Sequence, residues 1–395
     1  AITTAGMFLG ALVGGIIGDK TGRRNAFILY EAIHIASMVV GAFSPNMDFL
    51  IACRFVMGVG LGALLVTLFA GFTEYMPGRN RGTWSSRVSF IGNWSYPLCS
   101  LIAMGLTPLI SAEWNWRVQL LIPAILSLIA TALAWRYFPE SPRWLESRGR
   151  YQEAEKVMRS IEEGVIRQTG KPLPPVVIAD DGKAPQAVPY SALLTGVLLK
   201  RVILGSCVLI AMNVVQYTLI NWLPTIFMTQ GINLKDSIVL NTMSMFGAPF
   251  GIFIAMLVMD KIPRKTMGVG LLILIAVLGY IYSLQTSMLL ITLIGFFLIT
   301  FVYMYVCYAS AVYVPEIWPT EAKLRGSGLA NAVGRISGIA APYAVAVLLS
   351  SYGVTGVFIL LGAVSIVVAI AIATIGIETK GVSVESLSID AVANK

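Results

Sequence analysis

Charge is scarce in this sequence. Asp, Glu, Lys and Arg make up 12% of the 395 residues, and long stretches hold almost none, which argues against an ordinary soluble domain. Cysteine is equally sparse: Cys53, Cys99, Cys207 and Cys307 all fall in apolar segments without the close spacing of a metal or redox site. They read as small apolar fillers, so neither a metal nor a cofactor is expected. There is one histidine, and no nucleophile, base and orienting group can be assembled from the loops, so no catalytic residue is assigned and an enzyme is not expected. The net charge of +8 would suggest nucleic acid in a soluble protein, but it is spread over short loops with no basic tract interleaved with exposed aromatics. An initiator Met, a charged leader and a cleavage signal are also missing, and Ala1 already lies inside an apolar span.

What is present is a series of such spans. Eleven run through 1–17, 25–43, 49–73, 87–110, 117–137, 200–226, 237–259, 266–284, 288–314, 326–349 and 353–376. Each is near the roughly 17–25 residues that cross a bilayer as helix. Arg117 and Lys235 stand on one side and Arg54 and Arg335 inside spans; every other Lys and Arg falls in the connections on the opposite side or at the span ends that border them, which positive-inside bias assigns to the cytoplasm. An odd number of spans puts the termini on opposite sides. A first helix entering from the cytoplasm would restore twelve, and the expectation is that this helix is missing from the chain.

The chain also repeats itself. Gly6, Gly10 and Gly14, followed by Asp19 and Arg23, recur 241 positions later as Gly247, Gly251 and Ala255, followed by Asp260 and Arg264. At four-residue spacing the small residues form one helical stripe that permits close backbone approach. Glu74, Pro77, Arg81 and Gly82 are echoed more loosely by Glu316, Pro319, Arg325 and Gly326. The division this implies is an N-terminal bundle at 1–138, a cytoplasmic connector at 139–199, a six-helix bundle at 200–377 and a cytoplasmic tail at 378–395. Within the connector, Tyr151 to Gln168 has the spacing of a short amphipathic helix, and Lys171 to Pro189 reads as a linker.

Five ordered motifs at helix ends, GDKTGRR at 18–24, RFVMGVGLGA at 54–63, PESPRWL at 139–145, VPEIWPTEAKLRG at 314–326 and ETKG at 378–381, resemble those of the major facilitator superfamily, specifically its sugar-porter and related metabolite-transporter branch. The resemblance spans the whole length. It implies an all-α integral membrane protein of two pseudo-symmetric six-helix bundles, here without the first helix, working by alternating access in a bacterial inner membrane. Two stretches depart from the pattern. Ile377 stands where sugar porters usually have Pro, and NVVQYTLINW at 213–222 replaces their glutamine-rich stretch. The expected cargo therefore widens from sugar to polyol, sugar acid or other organic acid.

Charged exits can bridge helix ends when the halves close on the cytoplasmic side. Asp19 with Arg23 and Asp260 with Arg264 lead this gate, with Arg24, Glu74, Arg81, Glu316 and Arg325 assisting; the competing role is solvation of a helix end. Arg54, five residues inside its span, needs a partner or water. Family members that couple to protons often place an Asp in the first helix facing this Arg; otherwise Arg54 reaches the outer surface. Glu31 and His34 share a helix face and either share a proton or form a structural hydrogen bond. For the substrate, the candidates are Asn213, Gln216, Tyr217, Asn221 and Trp222, with Asn93 and Trp94 as an opposite wall and Tyr303 and Tyr308 as aromatic and hydroxyl contacts; the alternative for each is helix–helix packing. Trp114, Trp116 and Trp144 read as an interfacial belt. The expected function is secondary transport of a small polar metabolite by a lipid-embedded monomer, with protons as co-substrate. The other class considered is a transporter-like nutrient sensor that binds without sustained transport.

Overall fold

In a bilayer no water reaches the backbone, so an apolar run must satisfy its own N–H and C=O groups, and a helix does this within one segment. The computed structural model describes residues 2–75, 81–170, 172–173, 190–259, 261–318 and 322–380, with the side chains at 15, 16, 19, 69–75, 81–86, 112, 143, 147, 190, 323 and 324 outside that description. Among the described residues there is no strand, and the eleven predicted spans fall largely on helix, the one at 87–110 broken at Trp94 and ending at Leu106. Eight helical stretches are long and apolar enough to cross a membrane, one of them, Arg325–Ile375, long enough to cross twice. The helices group into two compact units. One comprises Ile2–Arg81 and Ala112–Ala184, the other Gly82–Ser111 and Pro185–Lys395.

The first unit holds α1 (Ile2–Thr21), α2 (Arg23–Ala42), α3 (Met47–Tyr75) and, later in the chain, α6 (Ala112–Tyr137). The glycine stripe does what its spacing suggested. A Cβ added at Gly6 or Gly10 would land on the carbonyl oxygens of Phe55 and Val59, and one at Gly58 or Gly62 on those of Thr3 and Met7, so α1 and α3 meet backbone to backbone. Tyr30 ties α2 to α1 by donating to the Gly14 carbonyl at 2.9 Å. At the opposite end Arg117 of α6 donates to the Ala42 carbonyl at 2.6 Å, and its guanidinium lies 4.5 Å from the Trp116 ring centre and 5.9 Å from that of Trp114. Those two tryptophans thus hold the Arg117 cation against their rings. Beyond α6, Ser141 caps the short α7 (Pro142–Ser147) by accepting from the Trp144 N–H at 3.3 Å. The amphipathic α8 (Tyr151–Thr169) then ends on left-handed Gly170.

The second unit begins with α4 (Arg81–Asn93) and α5 (Ser95–Leu106), parted by a turn at Trp94. Helix α4 starts before the predicted span, so Arg87 is an exposed helical residue and not part of a loop. After the four-residue α9 (Tyr190–Leu193) come α10 (Gly196–Thr229), α11 (Leu234–Met245), α12 (Gly247–Val258), α13 (Arg264–Ser283) and α14 (Met288–Val306). A π-helical segment at Cys307–Tyr313 leads into α15 (Val314–Glu316), and α16 (Lys323–Ile375) holds two spans separated at Gly353, whose φ of 65° only glycine adopts without strain. Helix α10 packs along α16, α12 along α14, and α5 against α11. At the α12–α14 crossing, a Cβ at Gly247 or Gly251 would strike the carbonyls of Phe296 and Thr300. The sequence repeat is therefore a repeat of packing: the same stripe makes the same close crossing in each unit.

Candidate functional site

A helix start leaves backbone N–H groups without intrahelical partners. In both units those groups are met by a glutamate from far along the chain. In the first, Glu140 Oε1 accepts from the backbone N–H of Arg23 at 2.7 Å and of Arg24 at 3.2 Å, across 117 and 116 residues. In the second, Glu378 accepts from Arg264 N–H at 2.7 Å and Lys265 N–H at 3.1 Å, across 114 and 113 residues. Gly22 is required at the first start: its φ is 97°, and a Cβ there would collide with the Glu140 carboxylate. Burial pushes the Glu378 carboxyl up, but the backbone N–H groups of Arg264, Lys265 and Lys380 and the Arg264 charge outweigh it and hold the group below its ordinary range.

Around this second cap the guanidinium of Arg264, only 5% exposed, makes a two-pronged pair with Glu316: Nε to Oε2 at 3.1 Å and Nη2 to Oε1 at 3.2 Å. It also donates from Nη1 to the Met259 carbonyl. Thr379 Oγ1 donates to Glu316 Oε2 at 2.6 Å, and Lys380 Nζ to the Lys261 carbonyl at 2.7 Å. Ile377 donates its N–H to the Tyr313 hydroxyl at 3.0 Å, a bond proline could not make, which gives this departure from the sugar-porter pattern a local role. In the first unit Arg24 Nη2 donates to the Trp135 carbonyl. Arg23 and Arg325 are both engaged in further contacts. Asp260 and the side chains of Asp19, Glu74 and Arg81 lie outside the described residues. Glu140 and Glu378 were not singled out from the sequence, although both stand in motifs quoted for the resemblance.

The second group of candidates sits inside the spans of the second unit. Tyr303 of α14 is buried, with its ring 5.2 Å from Tyr96 of α5; its hydroxyl lies by Tyr96 and Gln216 but meets no partner in hydrogen-bond geometry. Tyr217 is half-buried, and a Cβ at Gly338 of α16 would sit 3.1 Å from its ring. The Arg335 guanidinium is near enough for its charge to act on the Tyr217 phenol. Gln216, Tyr217 and Tyr303 thus come together, joined by Tyr96, with the Arg335 charge in reach of Tyr217. No local pattern marks Tyr96 for a role, and the sequence shows Arg335 only as a charge within a span. Arg335 stands 12 residues after Lys323, about 18 Å along the helix, and a charge at such depth costs about 2.5–3.5 kcal/mol on the insertion scale.

The remaining candidates lie elsewhere or are occupied locally. Asn213 donates to the Leu209 carbonyl at 2.8 Å and packs against Gly334; Asn221 donates to Tyr217 O at 2.9 Å and Asn93 to Ser89 O at 2.7 Å. Trp222 packs on the core of the unit, and Trp94 turns its edge to Phe90 and Phe246 at 6.5 and 6.4 Å. Tyr308 stacks on Tyr313 at 5.0 Å beside the Glu378 cap, apart from Tyr303. In the first unit Glu31 and His34 face each other at 3.5 Å, with side chains 11% and 14% exposed. Arg54 is exposed and makes no hydrogen bond or ion pair among the described residues.

A family model described as Sugar (and other) transporter matches residues 1–391. The chain is 45% identical to the inner membrane metabolite transport protein YdjE of Escherichia coli over 97% of its length and 84% of that protein. It is 26% identical to the niacin transporter NiaP of Acinetobacter baylyi, covering 97% of this chain and 85% of the other. Among solved structures, the xylose transporter XylE of E. coli in a partially occluded inward open conformation matches with a TM-score of 0.76 at 18% identity, over 97% of this chain and 87% of that one. That likeness shows the major facilitator fold.

Proposed function

Because the chain belongs to the sugar (and other) transporter family, we propose that it carries a small polar metabolite across a bacterial inner membrane by alternating access, driven by proton symport. The observation that carries this reading is the group of Tyr96, Gln216, Tyr217 and Tyr303, polar side chains gathered inside membrane spans where each unmet hydrogen bond is costly unless a ligand or water meets it. The glutamate-capped helix starts supply the moving parts. Glu140 in one unit and Glu378 in the other fasten a late segment of chain to an early helix end, so each unit can move as a body while its cytoplasmic end stays ordered. For coupling, the Glu31–His34 pair offers a shielded proton acceptor, with Arg54 on the neighbouring helix.

Support for an inner-membrane metabolite carrier comes from YdjE, named for that role; support for proton coupling comes from a neighbour described as a proton:xylose symporter. The test is uptake of radiolabelled sugars, polyols and sugar acids into vesicles reconstituted with the full-length protein, with and without an imposed inward proton gradient. Accumulation above equilibrium that collapses with the gradient is expected. Uptake indifferent to the gradient would remove the coupling, and binding without uptake would remove transport.

A further inference from the structure

Arg335 lies inside a span of a unit whose described residues offer it no carboxylate at that depth. Segment 82–111 has no acidic residue, and the described ones of 196–380, Asp236, Glu316 and Glu378, all stand at or beyond helix ends. The carboxylate placed inside a span elsewhere in residues 1–395, Glu31, is engaged by His34 of its own helix. Arg335 itself makes no hydrogen bond or ion pair among the described residues.

Its position on α16 is not the face of a lipid contact. The large apolar residues Ile336, Tyr343 and Val347, spaced seven and four apart, are 56–62% exposed and form one stripe. The buried stripe runs through Gly334, Gly338, Ala341 and Val345 against α10. Arg335 and Asn331, one turn apart, lie on a third, polar stripe, and the Arg335 charge reaches Tyr217. Next to Tyr217 and Gln216 is the orphaned, buried hydroxyl of Tyr303. A guanidinium beside hydroxyl and amide donors, with no internal anion among the described residues, is the chemistry of an anion receptor, because the guanidinium fork matches the two oxygens of a carboxylate.

We propose that Arg335 anchors the carboxylate of the transported metabolite, so that the cargo is an organic or sugar acid anion and not a neutral sugar; this rests on the transport reading above. A neutral sugar would need only hydroxyls and amides, and would leave the cation without a counter-charge in the membrane. A carboxylate removes that penalty while Gln216, Tyr217 and Tyr303 hold the rest of the molecule.

The test compares matched pairs that differ only at the acid group, D-gluconate against D-sorbitol and nicotinate against nicotinamide, by calorimetric binding to the purified full-length protein at pH 7, where both acids are ionised. At least one acid should bind about tenfold or more tightly than its neutral partner. Arg335→Gln should abolish the preference, and Arg335→Lys should retain part of it, keeping charge but losing the fork. Equal binding of acid and neutral partner to the wild type, a preference surviving in Arg335→Gln, or no binding of either acid would each overturn the proposal; the wild-type comparison decides even if a variant fails to fold. Vesicle uptake separates the two readings. Acid-selective binding without uptake supports the anion site and removes transport, whereas uptake of sorbitol with no preference for gluconate removes the anion site and leaves transport.

Discussion

Replacing Glu378 by Gln should loosen the start of α13 without unfolding the bundle. The carboxylate accepts the N–H groups of Arg264 and Lys265 at 2.7 and 3.1 Å, and that of Lys380 at 3.1 Å. Gln keeps one acceptor oxygen but turns an NH2 group toward a backbone donor and removes the negative charge facing a helix N-terminus. Bonds to charged groups contribute about 1.5–3 kcal/mol each when shielded, and the macrodipole about 0.3–1 kcal/mol. Glu378 is half-exposed, so solvent screening reduces these values, and about 2 kcal/mol is expected in all, a roughly 30-fold change in the local opening equilibrium. Amide hydrogen exchange in detergent micelles reads this directly: protection at Arg264 and Lys265 should fall by about that factor while the middle of α13 is unchanged. The folded-state carboxyl is held below its ordinary range, so its contribution is complete above the unfolded value near 4.3 and is lost as pH falls through the lower folded value. Exchange should therefore be insensitive to Glu378 ionisation from pH 7 to about 5 and rise only in more acid solution. Glu140→Gln should act alike on Arg23 and Arg24. Unchanged protection in both variants would refute the capping argument.

Gly62→Val should sharply reduce folded protein in the membrane, because its Cβ would strike the Met7 backbone where α1 and α3 cross; normal abundance would show that this crossing can open. For the Arg264–Glu316 pair, Glu316→Gln should destabilise by up to about 3–5 kcal/mol because it strands a buried guanidinium, and a double-mutant cycle with Arg264→Met should recover much of the loss; additive losses would mean the two are not coupled. Tyr217→Phe and Gln216→Ala should weaken substrate binding by about 1–3 kcal/mol with abundance unchanged, and full affinity in both would reduce them to packing residues. If the Glu31–His34 pair carries the coupling proton, Glu31→Gln should abolish gradient-driven accumulation in vesicles while substrate exchange persists; accumulation at the wild-type level would make the pair structural.

The sequence by itself determined where the long apolar helices lie, how the basic residues are spread among the segments between them, and that one arrangement is used twice. Those properties are local. A helix satisfies its backbone within its own span, a loop carries its own charges, and Gly6, Gly10, Gly247 and Gly251 announce a close crossing by their spacing alone, whatever packs there. Tertiary structure decided which distant groups meet. Glu140 and Glu378 reach helix starts more than a hundred residues away, and nothing in the local pattern of either names its partner. Tyr303 and Tyr308 looked like one pair of site residues, yet five residues turn a helix by about 140°, and Tyr308 already lies in the π-helical segment that begins at Cys307, so one faces Tyr96 and the other Tyr313. Segment 82–111 belongs with the late helices in packing though it is early in sequence, and α16 brings Arg335 to Tyr217 across more than a hundred residues. A span can be read from hydropathy because lipid is the same on every side, whereas the polar face inside a bundle depends on which helices stand opposite it, and only the packed chain supplies that.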